Sequence, residues 1–251
     1  MRREERHHLK DNPLATALTR VQAALVMRSR TLAALGAVVV VAAVAAGGYL
    51  AWQQQRASQA GELLSEALIV LDSAIAAPPE AGDGADAVWD QPPGTFPTEE
   101  ARLEAALERF EAAADSYPDL RSGIAARYEA AAALVALGRL DEAAEAYRQV
   151  IAAADDPLHA AVARLGLAET RILGGDAAGA VELLEQESME ADPAVPVDAV
   201  LMRLGHAYEL GGQDNDALAA FTRVVEEFPL SVYAAEARRK ADALDAAASG
   251  N

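Results

Sequence analysis

The longest uniform stretch of the chain is apolar. Thr31 to Trp52 is 22 residues without a charge and includes the run Val38-Val39-Val40-Val41. As an α-helix it is about 33 Å long, enough to cross a hydrocarbon core of about 30 Å. Arg28 and Arg30 stand just before it, and Tyr49 and Trp52 fall at its far end, where interfacial aromatic residues collect. The pattern predicts a transmembrane helix over 31–52. Ala43-Val44-Ala45 is similar to the small-residue site at which secretory signals are cut, but 30 residues precede the run and it continues to Trp52. Those two features favour an uncleaved signal anchor. Upstream, Pro13–Met27 places Leu14, Leu18, Val21 and Leu25 on one helical stripe, which either lies along the inner leaflet or extends the membrane helix.

Beyond Trp52 the apolar positions become periodic. Residues 57–77 read as an amphipathic helix with Leu64, Leu68, Leu71 and Ile75 on one face. Residues 78–97 then hold five prolines, three glycines and four acids, the composition of a flexible insert or linker. Thr98 is a suitable N-cap, with Glu99 and Glu100 in the first turn that follows. A last amphipathic helix, 232–247, carries Tyr233, Ala237, Ala241 and Leu244 beside Arg238-Arg239-Lys240 and is suited to closing the end of a helical array.

Between Thr98 and that last helix the chain repeats at a step of 37 residues: Ala106, Ala143, Ala180 and Ala217 align. One turn later come Phe110, Tyr147, Leu184 and Phe221, and Gly138, Gly175 and Gly212 form a third column. Pro118 and Pro229 match at the two ends, with Asp155 and Asp192 between them. A small alanine lets two helices approach, a large residue fills the space beside it, and a glycine ends the first helix in a left-handed conformation. With Leu204-Gly205, Tyr208, Gly212, Ala217, Phe221 and Pro229, the last unit resembles the tetratricopeptide repeat (TPR). The resemblance implies an all-α fold, a TPR-type α-solenoid of helical hairpins over 98–247 behind the single N-terminal transmembrane helix, with 57–77 as the first helix of a degenerate repeat interrupted by the insert. The step exceeds the usual TPR period by three, so longer connections are expected. The resemblance also implies a binding groove lined by the first helices of the hairpins. Counted back from each alanine, its wall is Ala125, Tyr128, Ala132 and Val135, then Val162, Leu165, Glu169 and Ile172, then Ala199, Met202, His206 and Glu209. Seven of these, Tyr128, Leu165, Glu169, Ile172, Met202, His206 and Glu209, are the candidate protein-binding residues. A mostly apolar wall with a few acids suits an amphipathic helix or an unfolded apolar segment; the alternative is that some of these side chains are buried against the next hairpin.

Charge and composition then exclude several classes of function. Residues 1–30 hold seven of the 21 Lys/Arg and three of the 39 Asp/Glu, leaving 14 basic and 36 acidic residues for the rest. The basic excess before the apolar run places the 1–30 tail in the cytoplasm and the acidic body across the membrane. So acidic a body disfavours nucleic acid as a partner. With no cysteine, disulfides, thiolate metal sites and cysteine nucleophiles are ruled out. His206 with Glu209, and His159 with Asp155 and Asp156, each supply at most part of a metal site, and His7-His8 sits on a basic tail. No catalytic constellation and no cofactor site is expected.

The order of parts (basic tail, signal anchor, degenerate TPR hairpins) resembles the YfgM-like family, ancillary subunits of the SecYEG translocon. That resemblance implies a bacterial inner-membrane protein with a periplasmic, chaperone-like repeat domain, the translocon and newly translocated polypeptides being its partners. The segment 228–237, Phe-Pro-Leu-Ser-Val-Tyr-Ala-Ala-Glu-Ala, is also similar to TPR proteins of the Tol-Pal and outer-membrane assembly systems. A Tol-Pal or cell-division coordinator is thus one alternative. A passive structural protein that forms homo-oligomers through alanine-rich surfaces is another.

Overall fold

A computed structural model describes the backbone over residues 13–78 and 90–249, and side chains from residue 33 onward within those ranges. The basic tail before Pro13, with His7-His8, and residues 79–89 of the insert lie outside the described residues. The chain divides into two units, 1–56 and 57–251. The described residues form nine helices: α1 Pro13–Leu71, α2 Glu99–Ser116, α3 Arg121–Ala136, α4 Leu140–Ala153, α5 Pro157–Leu173, α6 Ala177–Ser188, α7 Val197–Leu210, α8 Asp214–Glu227 and α9 Ala234–Ser249. Two short strands, β1 Ala74–Ile75 and β2 Thr95–Phe96, pair in parallel.

The first unit is helical from Pro13, and α1 is long and apolar enough to cross a membrane. Its valines face outward, Val38 to Val41 and Val44 all being well exposed. Such a helix is a candidate membrane anchor, and a signal sequence passes the same test of length and composition.

In the second unit each helix from α2 onward packs on the next. Ala106, Ala143, Ala180 and Ala217 are fully buried, and Phe110, Tyr147, Leu184 and Phe221 lie beside them in the core. Gly138, Gly175 and Gly212 have φ of 74°, 80° and 70°, the left-handed region that other residues resist. Each closes the same turn. The amides of Arg139, Asp176 and Gln213 donate to the carbonyls of Leu134, Arg171 and Tyr208 at 2.8–2.9 Å, and each glycine amide bonds the carbonyl three residues back at 3.0–3.1 Å. This is the Schellman arrangement. The residue after each glycine is already the N-cap of the following helix, and Asp176 accepts from the Gly179 amide at 3.0 Å. One residue therefore ends one helix and starts the next, which keeps the turns 137–139, 174–176 and 211–213 short. The longer connections expected from the step of 37 are absent there; the long one, 189–196, joins α6 to α7.

Gly205 has a different purpose: a Cβ there would lie 2.5 Å from the Phe221 ring. The Leu-Gly pair thus lets α8 place its large aromatic residue directly on the α7 backbone.

The first hairpin departs from this plan. Residues 57–71 of α1 supply Ala67, Leu63, Leu64 and Val70 to the same apolar cluster as Leu103, Leu107 and Phe110 of α2. The helix ends at Leu71, short of the expected Ala77, because the chain then extends into β1. Ala76 donates to the Phe96 carbonyl at 2.8 Å, and Gln91 donates to Ala76 and to Thr95. The C-terminal part of the insert, expected to be a flexible linker, is therefore folded back on the exit from α1. Thr98 caps α2 by accepting from the Ala101 amide at 3.1 Å.

Candidate functional site: the face of the first helices

First helices of successive hairpins touch directly, α3 with α5 and α5 with α7. Their outward residues form one strip. On α3, Ala125, Tyr128, Ala132 and Val135 are half-buried; on α5, Val162, Leu165 and Ile172 are half-buried and Glu169 is exposed. Val162, Leu165 and Ile172 lean on the C-terminal core, and Tyr128 and Val135 on the middle one. Each keeps part of its apolar surface toward solvent, the state of a side chain that a partner can cover with little rearrangement.

The centre of the strip is more polar than the repeat spacing implied. Tyr147 reaches from α4 between α3 and α5: its ring meets Tyr128 edge-on with centroids 5.5 Å apart. Gly166 makes room for it, since a Cβ there would stand 2.5 Å from the Tyr147 ring. Burial pushes both phenols upward, and Glu129 pushes them further. Glu129 is half-buried on α3, and burial raises its own carboxyl. Arg203 of α7 works the other way on Tyr128. Sequence reasoning missed Glu129, Tyr147, Gly166 and Arg203 as parts of this face. A usable signal existed, because steps of 37 from Glu129 lead to Gly166 and then Arg203.

At α7 the expected groove wall is corrected. Met202 is 4% exposed and sits in the same buried cluster as Ala161 of α5 and Ala237 of α9. It is a core residue of the C-terminal cluster. His206 packs edge-on against Phe221 at 5.6 Å, with Nδ1 3.3 Å from Glu209 and Nε2 3.9 Å from Glu236 of α9. Glu209 also receives the Lys240 ammonium at 2.7 Å. His206 and Glu209 thus form a polar seam between α7 and α9. Of the seven candidates, Tyr128, Leu165, Glu169 and Ile172 share the accessible strip. Among the described residues no group of three or more His, Asp or Glu side chains is arranged to hold a metal ion. The pair His159–Asp156 stands at 3.4 Å at the start of α5.

A further polar contact stiffens the strip from behind. Glu187 of α6 is almost wholly buried and receives Arg164 Nε of α5 at 2.5 Å. The hydroxyl of Thr170, also buried, donates to the Gly166 carbonyl at 2.7 Å. Elsewhere, α2, α3 and α4 line an open cleft of about 300 Å³ that carries Glu111, Asp115, Glu142 and Glu145, with Arg127 bonded to Asp115 at 3.0 Å.

The tetratricopeptide-repeat family model matches residues 125–156 and 199–231, which fall on α3–α4 and α7–α8. No curated protein matches the sequence. Two solved structures similar to this chain are of a putative kinesin light chain from Podospora anserina with nearly identical TPR-like repeats, one of them a single-substitution variant of the other. Both are 22% identical at a TM-score of 0.49, covering 60% of this chain and 80–81% of theirs. The two matched hairpins carry the buried alanine, the large residue beside it and the left-handed glycine, and the unmatched α5–α6 hairpin repeats that geometry. The second unit of the chain is a TPR-like solenoid, a protein-interaction scaffold, preceded by an N-terminal helix able to cross a membrane.

Proposed function

We propose that this protein is an inner-membrane, single-pass scaffold whose repeat domain stands on the extracytoplasmic side and binds apolar segments of other polypeptides in protein transport or envelope biogenesis. The observation carrying this reading is the strip of half-buried Tyr128, Val135, Val162, Leu165 and Ile172 on adjacent first helices. Uncleaved anchorage and orientation are supported by the basic excess before Thr31 and the acids beyond Trp52. The SecYEG translocon is the partner suggested by the resemblance to YfgM-like proteins.

Crosslinking and capture of the full chain from native membranes tests the reading. Leu165→Lys and Ile172→Lys each place a charge that an apolar client cannot satisfy, so capture should fall while helical content is retained. Retention of every partner by both folded variants would remove the strip from consideration. Capture of Tol-Pal components, or of this chain alone, would point to the alternative functions. Because the chain lacks cysteine, single cysteines report topology cleanly. A cysteine at Ser58 or Ser249 should react with an impermeant reagent added outside intact cells, and one at Thr16 should not.

A further inference from the structure

The first unit ends in three side chains on one helical face. The rings of Tyr49 and Trp52 lie 5.8 Å apart, and the Arg56 guanidinium lies 5.1 Å from the Trp52 ring centroid. Rising about 1.5 Å per residue, these three residues step from the apolar run toward its end as phenol, indole and cation. Arg56 is also the only Lys or Arg between Arg30 and Arg102, in a stretch otherwise rich in acids. Along α1 the positions of Arg30 and Arg56 are about 39 Å apart, close to the thickness of about 40–45 Å of a bilayer including its headgroups. A helix centred on the hydrocarbon core therefore carries one arginine position at each phosphate layer.

From this geometry we infer that Arg56, held over Trp52, binds phospholipid phosphate and sets the depth of the helix in the leaflet reached by its C-terminal end. The inference rests on the anchor reading above. Stacking on an indole engages the face of a guanidinium, whereas phosphate is bound through its N–H edge, so one side chain serves both contacts. Trp52 prefers the interface for the same amphipathic reason, and the stack couples the two preferences. The first acids beyond, Glu62 and Glu66, are repelled by an anionic surface, and the cation ahead of them offsets that repulsion at the boundary.

The full chain carrying Trp89→Phe keeps Trp52 as its only tryptophan. Reconstituted into phosphatidylcholine–phosphatidylglycerol vesicles, it should be quenched more by a headgroup nitroxide than by a mid-chain one. Arg56→Gln should shift that ratio toward the mid-chain probe, and Arg56→Lys, which retains a cation for phosphate, should largely restore it. Headgroup quenching left unchanged by Arg56→Gln would overturn the phosphate contact and leave the anchor standing. Quenching by neither probe would overturn the anchor and the phosphate contact together.

Discussion

Valine has opposite surroundings in the two units of this protein. In the first, Val38, Val39, Val40, Val41 and Val44 are 61–70% exposed; in the second, Val150, Val200 and Val224 are at most 1% exposed. Leaving such a side chain in water forgoes about 1.5–3 kcal/mol relative to burying it. A helix that does so five times within two turns is apolar enough to cross a membrane. The second unit instead spends its apolar surface on itself, hairpin by hairpin, and turns Glu, Asp and Arg outward. The contrast shows that mean composition says little here: the arrangement of apolar residues, continuous or periodic, separates a helix able to cross a membrane from helices that pack on one another.

The largest expected effect separates the two units directly. Phe221 is wholly buried against Gly205, so Phe221→Ala should cost about 3–5 kcal/mol and loosen α7–α8 first. Val40→Ala removes a side chain that is 61% exposed and lies outside the repeats, so their unfolding should be unchanged. Hydrogen exchange and urea unfolding of the detergent-solubilised full chain measure both. Equal destabilisation by the two substitutions would break the comparison.

Glycine gives a smaller contrast of the same kind. Gly175 has φ of +80°, and a Cβ there is strained whatever space surrounds it. Gly175→Ala should lower stability by about 1–2 kcal/mol, read as a lower urea midpoint. Gly47 lies inside α1 and an added Cβ would meet nothing within 4 Å, so Gly47→Ala should leave the midpoint unchanged or raise helicity.

The columns of alanine, large residue and glycine were legible in the sequence because each answers a local steric demand that recurs at a fixed step. Thr98 was legible as a cap for the same reason. The burial of Met202 was legible only as one of two alternatives, since the repeat spacing alone does not separate a groove residue from one covered by the next hairpin. The end of α1 was not legible, because pairing with Thr95–Phe96 across an insert overrides a helical pattern that continues to Ala77. The Glu129–Gly166–Arg203 column was present at the step of 37 but carries no shared residue type, so a search for likeness passed over it. Lone contacts between distant side chains, such as Arg164 with Glu187, leave no periodic trace at all.

The smallest expected effect concerns the charges that the second unit turns outward. Arg223 and Glu227 pair on α8 one turn apart at 2.8 Å, both nearly half exposed. The guanidinium holds the Glu227 carboxyl below its ordinary value through that hydrogen bond. A lowered carboxyl contributes stability above its unfolded pKa and loses it as pH falls through the lowered value. The contribution here is small, because exposed pairs are screened and ordering two long side chains offsets part of the attraction. Arg223→Ala should therefore cost no more than about 0.5 kcal/mol at neutral pH. The difference from the parent chain should shrink in high salt and vanish in acid. A loss comparable to that of Phe221→Ala would mean that surface charge, rather than the buried columns, holds the solenoid together. A loss within the expected range leaves the outward charges the role of keeping water around the repeats, while the buried columns hold them together.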